Sequence, residues 1–160
     1  MFEYEYQIFK NIPIFVYGSL LKNFWNYKHI FGEFGDLTII KCEIENAILY
    51  HFDLGYPGIY ESTNKKDTVK GELIILDNFE KDKYDKIIKN LDYLEEFNEE
   101  EDNSNNFYIR KLSKIKIIGN NKKIKFIDAW VFWCNMDIKE YNSIKIENGD
   151  WREFMKNQIN

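Results

Sequence analysis

The chain contains few of the residues that mark several large protein classes. Its 160 residues include only two prolines, eight glycines, two cysteines and two histidines, and only Arg110 and Arg152 of its 22 basic residues are arginines. Hydrophobic residues make up 44% and aromatic residues 18% of the chain. This balance excludes collagenous, low-complexity and disordered classes and predicts a folded core. The length predicts a single domain over residues 1–160, since domains commonly run about 100–150 residues.

The cysteines and histidines form no pattern typical of a metal site or of a disulfide framework. Cys42 and Cys134 are far apart and lie in apolar stretches, where a free cysteine usually behaves as a small buried hydrophobe. Neither these cysteines nor His29 and His51 fall at a ligand spacing such as C-x2-C or H-x3-H. We therefore expect no metal and no cofactor.

The charge pattern limits the partners. Acidic residues outnumber basic ones by 27 to 22, and the lysines are scattered without a continuous basic stripe, which argues against nucleic acid as a partner. Residues 1–10 carry Glu3 and Glu5 and lack the cationic segment and apolar run of a secretory signal. The chain also lacks an apolar run of about 18 residues. We expect a cytoplasmic protein with no membrane partner.

The hydrophobic pattern predicts both strands and helices in one α+β domain. Residues 12–17 form an apolar run that ends at Gly18-Ser19, which predicts a strand, and the next apolar residues, from Leu20 to Tyr27, recur at helical spacing. A rigid loop is expected at residues 55–58, and the clearest helix at residues 81–98. Further strands are predicted at residues 37–52, as one bent strand or two short ones, at 69–76, and as a hairpin at 107–118 and 124–134.

The helix predicted at residues 81–98 carries one carboxylate on its apolar side. At about 100° per residue, Glu95 falls within the apolar stripe, whereas Asp92 and Glu96 fall on its flank. Burial disfavours the charged form of a carboxyl group and raises its pKa, which suits a general base near neutral pH. The alternative is that Glu95, close to the helix end, turns outward or pairs with a lysine.

The Gly18-Ser19 turn also has two interpretations. Backbone N–H groups between a strand end and a helix N-terminus can form a small cradle for an anion or an oxyanion. Many strands, however, end in Gly-Ser only because glycine tolerates a positive φ angle. The turn by itself does not decide between them.

Six short motifs follow one another along nearly the whole chain. They are Val16-Tyr17-Gly18-Ser19-Leu20, Tyr56-Pro57-Gly58-Ile59, Val69-Lys70-Gly71-Glu72-Leu73, Leu91-Asp92-Tyr93-Leu94-Glu95, Phe107-Tyr108-Ile109-Arg110 and Gly149-Asp150-Trp151-Arg152. Their order and spacing resemble the gamma-glutamylcyclotransferase-like family, which includes the gamma-glutamylamine cyclotransferases. The resemblance implies an α+β fold with a small mixed β-barrel flanked by helices.

The resemblance also implies a reaction. In this family the strand-end loop holds the γ-glutamyl group, which maps the substrate-binding residues onto Tyr17, Gly18, Ser19 and Leu20, and a glutamate that maps onto Glu95 acts as general acid and base. The α-amine of the small γ-glutamyl substrate attacks its own γ-carbonyl, releasing 5-oxoproline and an amine or amino acid. No enzyme nucleophile is required, which agrees with a sequence that has no evident Ser-His-Asp or Cys-His arrangement.

Residues of the later motifs are further candidates. Tyr108 is expected to hydrogen-bond the substrate or Glu95, or else to be a half-buried strand aromatic. Arg110 shares a strand face with Tyr108 and would steady Glu95, bind a substrate carboxylate or pair with a surface acid. Arg152 is interpreted as structural, in a tail that packs back on the domain through Trp151.

Three departures from the family pattern bear on the substrate. Glu96 stands where many members have glycine, Phe132 stands where members often have tyrosine, and the acidic loop at residues 98–106 disfavours anionic substrates. The first two motivate an alternative function, a binding module that uses the same pocket without turnover. A third hypothesis, drawn from the aromatic content, is a surface for a protein partner.

Overall fold

Five strands close into a small barrel. The computed structural model describes residues 9–102, 104 and 106–158, so most of the N-terminal segment considered for a secretory signal lies outside the described residues. The barrel strands are β1 (Ile14–Val16), β2 (Thr38–Glu45), β5 (Thr68–Ile75), β6 (Tyr108–Ile118) and β7 (Ile124–Cys134). Their order around the barrel is β1-β5-β2-β6-β7. Because β1 pairs antiparallel with β5 but parallel with β7, the barrel is mixed.

A three-stranded sheet and three helices surround the barrel. The sheet has the order β4-β3-β8, with β3 (Ala47–Phe52), β4 (Pro57–Glu61) and β8 (Ser143–Lys145). The helices are α1 (Trp25–Phe31), α2 (Lys81–Leu94) and α3 (Trp151–Gln158). This architecture confirms the α+β fold with a mixed barrel flanked by helices. No helix of the described residues is long and apolar enough to cross a membrane.

Apolar residues of the barrel strands form the core. Phe15 and Leu73 lie opposite one another in the β1–β5 pair, and Ile115 and Val131 lie in the long β6–β7 hairpin. Each of these side chains is exposed by 1% or less, and all three residues of β1 and the last four residues of β7 are buried, so these segments are covered on both faces. The same closed barrel fixes where β1 ends and therefore where its following loop lies.

Several predicted boundaries are corrected by local backbone geometry. The helix predicted from Leu20 begins only at Trp25, because residues 18–24 form turns and Asn23 has a φ of 76°, which an α-helix does not accommodate. Residues 37–52 form two strands, which is one of the two predicted alternatives, because Asn46, with a φ of 57°, separates β2 from β3. Pro57 and Gly58 lie in strand β4 and not in a loop; Pro57 is the first strand residue, where its missing N–H is tolerated.

The C-terminal tail packs back on the domain, as predicted. Trp151 is fully buried, and its Nε1 donates to Nδ1 of His51 at 3.1 Å. Gly149 has a φ of 67° and lies so close to Thr68 that a Cβ at this position would collide with the Thr68 carbonyl oxygen. Only glycine therefore fits at this return of the chain.

Candidate active site

A cavity of about 350 Å³ opens where the loop after β1 meets the end of α2. The structure brings all six sequence-predicted site residues to its wall: Tyr17, Gly18, Ser19, Leu20, Glu95 and Tyr108. These residues come from three segments that are distant in sequence. The barrel brings two of these segments together: the loop that follows β1, and Tyr108 in β6. Both β1 and β6 pair with β7.

Glu95 lies directly after α2 and keeps the hydrogen bond of its N–H to the Leu91 carbonyl oxygen at 2.9 Å. Its carboxyl group forms no hydrogen bond and no ion pair with the described residues, and the residue is partly exposed and lines the cavity. Burial, and next the charge of Glu96, raise the pKa of Glu95 to about 7. A carboxyl of this kind can both accept and return a proton near neutral pH.

The loop of residues 17–20 lines the same cavity. No described residue accepts a hydrogen bond from the N–H groups of Gly18, Ser19 or Leu20. The loop is held from the other side by α1, since the Ser19 hydroxyl accepts from Asn26 Nδ2 at 2.7 Å and the Ser19 carbonyl accepts from the Tyr27 N–H at 3.2 Å. These contacts fix the loop while leaving three donors for an anionic group.

Tyr17 and Tyr108 line the cavity as buried walls. The Tyr17 hydroxyl donates to the Phe132 carbonyl oxygen at 2.7 Å, and the Tyr108 hydroxyl donates to the Pro57 carbonyl oxygen at 2.7 Å. Of the alternatives predicted for Tyr108, its hydroxyl therefore does not donate to Glu95. Burial raises the pKa of both phenols, and the nearby carboxyl of Glu95 adds to the rise.

Gly18 is in close contact with Pro57. A Cβ atom at position 18 would lie 2.5 Å from Cγ of Pro57, a separation that real side chains do not reach. The loop can therefore approach strand β4 only with glycine at this position. The contact connects the Gly18 loop to the strand whose carbonyl receives the Tyr108 hydroxyl.

Arg110 lies outside the cavity and binds Asp92. Its Nε donates to Asp92 Oδ1 at 2.8 Å and its Nη2 to Asp92 Oδ2 at 3.1 Å, while the guanidinium lies 4.3 Å from the ring centre of Trp130. Of the three roles expected for Arg110, the structure shows pairing with an acid, here one on the helix of Glu95. Arg152 also lies outside the cavity, 5.1 Å from the ring centre of Phe24 and within hydrogen-bond distance of Glu72.

Sequence reasoning missed the residues at the rim of the cavity. Trp25 and Leu54 are more than half exposed there, and Tyr56 and Phe107 are half-buried beside them. Tyr56 and Phe107 each begin one of the six motifs described above, so the sequence contained a signal that could have pointed to them. Trp25 and Leu54 had none, because their position depends on how α1 and the turn after β3 pack.

The departures from the family pattern also lie at the cavity. Glu96 is exposed at its edge and has a φ of 54°, the left-handed conformation that glycine adopts readily. Phe132 is buried and contributes ring surface to the wall. Among the described residues, no group of three His, Cys, Asp or Glu side chains is placed to hold a metal ion.

Solved structures of similar fold include two bacterial proteins and one plant protein. YkqA from Bacillus subtilis shares 20% identity with a TM-score of 0.59, over 94% of this chain and 43% of that one. At5g39720.1 from Arabidopsis thaliana shares 18% identity with a TM-score of 0.52, over 92% and 85% of the two chains. The uropathogenic E. coli-specific protein c4763 shares 13% identity with a TM-score of 0.55, over 91% and 95%. At these identities the likeness shows the fold alone.

The present chain thus spans less than half the length of the Bacillus protein. No curated protein sequence matches it significantly. The family model described as gamma-glutamyl cyclotransferase, AIG2-like, matches residues 14–153, a range that includes every barrel strand and the whole cavity wall. The chain belongs to the AIG2-like gamma-glutamyl cyclotransferase family.

Proposed function

We propose that the protein is a cyclotransferase that converts a γ-glutamyl amine or γ-glutamyl amino acid to 5-oxoproline and the free amine. The observation that carries this proposal is Glu95, a carboxyl group without a protein partner among the described residues, in one cavity with the free amides of Gly18, Ser19 and Leu20. An acid/base and an anion cradle are the two elements that this reaction needs.

Glu95 would act first as a base. With a pKa of about 7, it is ionised in roughly half of the molecules at neutral pH and accepts a proton from the α-ammonium group of the substrate. The amine then attacks the γ-carbonyl carbon, forming the new C–N bond of the five-membered ring. Glu95 returns this proton to the leaving nitrogen as the original amide C–N bond breaks, and the second proton of the ring nitrogen passes to the released amine, which leaves as an ammonium group. The carboxylate is thereby regenerated and no water is consumed.

The loop amides would stabilise negative charge. The substrate brings an α-carboxylate, and attack on the γ-carbonyl develops an oxyanion; backbone N–H groups directed into a cavity suit either one. The backbone here is fixed before any ligand binds, because Ser19 is bonded to α1 and Gly18 is in contact with Pro57. Fixed donors of this kind avoid reorganisation in the transition state.

The walls would hold the substrate folded. Ring closure requires the α-amine and the γ-carbonyl of one molecule to meet, and an enclosing wall favours the folded conformer. Tyr17, Tyr108 and Phe132 supply buried ring surface for this purpose. The two hydroxyls donate to backbone carbonyls, so we assign these tyrosines to the shape of the pocket and not to proton transfer.

The test is formation of 5-oxoproline from synthetic γ-glutamyl amides, measured by mass spectrometry. We expect Glu95→Gln to lower turnover by about 10²–10⁴-fold, the usual contribution of a general acid–base group. Glu100→Gln is the matched control, because Glu100 is an exposed glutamate of the following loop that does not line the cavity. Turnover retained in Glu95→Gln would overturn the mechanism.

The second candidate function is a binding module that uses the same pocket without turnover. It is motivated by Glu96 and Phe132, the two departures from the family pattern, and the same experiment tests it. A binding module would be stabilised thermally by γ-glutamyl amides but would release no 5-oxoproline. The same samples therefore need a melting curve beside the product assay.

A further inference from the structure

Two of the six motifs described above have no part in the proposed reaction. They are residues 69–73 in strand β5 and residues 149–152, which lead into α3. Their charged residues Glu72 and Arg152 do not line the active-site cavity. The structure instead brings both to the backbone of Lys22, in the loop that follows β1.

Glu72 and Arg152 hold Lys22 at both of its backbone polar groups. The Lys22 N–H donates to Glu72 Oε1 at 2.8 Å, and Arg152 Nη2 donates to the Lys22 carbonyl oxygen at 3.0 Å. The same Nη2 lies 3.3 and 3.4 Å from the two carboxylate oxygens of Glu72. Because Nη2 carries two N–H groups, one can serve the carbonyl and the other the carboxylate. The three residues thus form a closed ring of hydrogen bonds.

The Glu72–Arg152 pair is itself held by its surroundings. The Glu72 side chain is 11% exposed, and the residue lies opposite Val16, the last residue of β1. The adjacent Gly71 permits this close pairing, since a Cβ there would collide with the Val16 carbonyl oxygen. The Arg152 guanidinium lies 5.1 Å from the ring centre of Phe24. The pair therefore has little freedom to move relative to the end of β1.

Lys22 lies between a turn and a strained residue. In the turn, which contains the loop amides, the Leu21 N–H donates to the Gly18 carbonyl oxygen at 2.9 Å. On the other side Asn23 has a φ of 76°, a conformation that a residue other than glycine keeps only where its surroundings hold it. Fixing the backbone of Lys22 therefore fixes the far end of the turn.

We propose that Glu72 and Arg152 are positioning residues, which hold the loop amides in the geometry that binds negative charge in the cavity. The proposal rests on the cyclotransferase function proposed above. Gly18, in contact with Pro57, and Ser19, bonded to α1, fix the start of the loop, and the Glu72–Arg152 pair fixes its end.

The two arginines of the chain then have parallel roles. Arg110 binds Asp92 on the helix that leads to Glu95, and Arg152 binds Glu72 beside the loop amides. Each guanidinium lies outside the cavity and over an aromatic ring. Lysine, the other cation of this chain, has a compact ammonium group that does not combine a flat contact with a ring and a planar set of donors.

The experiment measures kcat and KM for γ-glutamyl-butylamine in Arg152→Met, Glu72→Ala and Glu72→Gln. We expect the first two to lower kcat/KM by about 10–100-fold, since a displacement of about 1 Å within a site can cost 10²-fold. The loss falls on KM if the amides bind the α-carboxylate and on kcat if they bind the oxyanion. Glu72→Gln keeps an oxygen that accepts from the Lys22 N–H and should recover part of the loss. The pH at which kcat rises should not move, because Glu96, and neither of these residues, contributes to the high pKa of Glu95.

Asn11→Ala is the control for a purely structural loss. Asn11 is 7% exposed, and its Nδ2 donates to the carbonyl oxygens of Leu76 and Phe79 at 2.7 and 2.9 Å, away from the cavity wall. This variant should melt at a lower temperature with unchanged kcat and KM. If Arg152→Met and Glu72→Ala behave in the same way, the positioning role is wrong. Should either fail to fold, Glu72→Gln and Arg152→Lys carry the same test with a smaller expected loss.

Binding of the same amide is measured by calorimetry in Glu95→Gln, alone and combined with Arg152→Met. Turnover by the wild type that Arg152→Met leaves unchanged in kcat and KM overturns the positioning role alone. Binding that weakens with Arg152→Met, without turnover by the wild type, supports the positioning role and overturns the catalytic function instead. A wild type that neither binds nor converts the amide overturns both proposals.

Discussion

Asp92 and Glu95 lie three residues apart at the end of α2, and their surroundings differ sharply. Asp92 is 17% exposed and receives two hydrogen bonds from Arg110, itself 9% exposed and lying over Trp130. Burial raises the pKa of Asp92, and Arg110 offsets part of this rise. Glu95 faces a cavity with no cation among the described residues, and burial raises its pKa to about 7.

The comparison separates two uses of a carboxyl group. A carboxylate with a bidentate partner holds its helix against the barrel, because each charge is costly without the other. A carboxyl without a partner destabilises the fold when it ionises but remains available for proton transfer. Both lie in the Leu91–Glu95 motif, so one turn of chain holds the anchoring carboxylate and the carboxyl that we propose for catalysis.

The largest expected effect comes from removing the cation of the anchored pair. Arg110→Met should lower the free energy of unfolding by about 2–4 kcal/mol, because it leaves Asp92 buried without a partner. Urea denaturation followed by circular dichroism measures the loss. Adding Asp92→Asn should recover part of it, which also gives a folded variant to measure if Arg110→Met alone fails to fold.

The exposed pair of Lys81 and Asp85 on the same helix provides the control. These side chains are 81% and 52% exposed at an N–O distance of 2.7 Å, so Lys81→Met should cause little measurable loss. If Arg110→Met were no more harmful than Lys81→Met, the anchoring role would be wrong.

The second effect is a gain of stability at the unpartnered carboxyl. Folding raises the pKa of Glu95 from 4.5 to about 7, so the folded state favours the protonated form. The stabilising contribution of this proton is fully present below pH 4.5 and is lost as the pH rises to about 7. Glu95→Gln does not ionise and should exceed the wild type by about 1–3 kcal/mol at pH 8.

Denaturation curves at pH 5 and pH 8 measure this difference, which should be much smaller at the lower pH. The same variant should thus lose turnover while gaining stability, a combination expected of a residue kept for function. A Glu95→Gln protein that is less stable than the wild type at pH 8 would show that the carboxylate has a stabilising partner.

The smallest effect concerns Glu96, the residue that follows Glu95 after the end of α2. Glu96→Gly should raise the free energy of unfolding by about 0.5–1 kcal/mol, because glycine adopts the positive φ without strain. It should also shift the rise of kcat with pH to lower pH, since the charge of Glu96 contributes to the high pKa of Glu95. Glu96→Gln should shift the pH profile in the same direction while keeping the strained backbone.

Lys122, with a φ of 61° in the turn between β6 and β7, supplies the matched backbone control. Lys122→Gly should gain stability for the same reason and leave the pH profile in place. A pH profile that does not move in either Glu96 variant would contradict the electrostatic link to Glu95. Glu95 also interacts electrostatically with other titratable groups around the cavity: Tyr17, Tyr56, Tyr108 and Cys134.

The sequence allowed prediction of features that depend on local pattern. Helical periodicity gave Glu95 an inward position, and the β6–β7 hairpin, β5 and the packed tail were predicted within a few residues. Barrel closure was expected only from the family resemblance, because the parallel β1–β7 pairing joins segments more than 100 residues apart. The pairing of Arg110 with Asp92 was one of several open alternatives, since a strand pattern does not say which helix covers it.

The errors arose where single residues override a regular pattern. Leu20, Leu21 and Phe24 have helical spacing but lie in turns, because Asn23 adopts a positive φ. The helix end at Leu94 depends on the left-handed conformation of Glu96, which composition does not reveal. The rim residues Trp25 and Leu54 depend on packing between distant segments. The cytoplasmic location and the single domain over residues 1–160 stay predictions.

The contact between Gly18 and Pro57 bears on how fast a ligand can enter. Gly18 and Pro57 are two walls of the cavity, and they lie so close together that these walls cannot approach each other further. We therefore expect association in a single kinetic phase whose rate grows linearly with ligand concentration, without the plateau of a slow closing step. Enlarging the cavity for bulkier amines would have to begin at Trp25 or Leu54, which border open solvent.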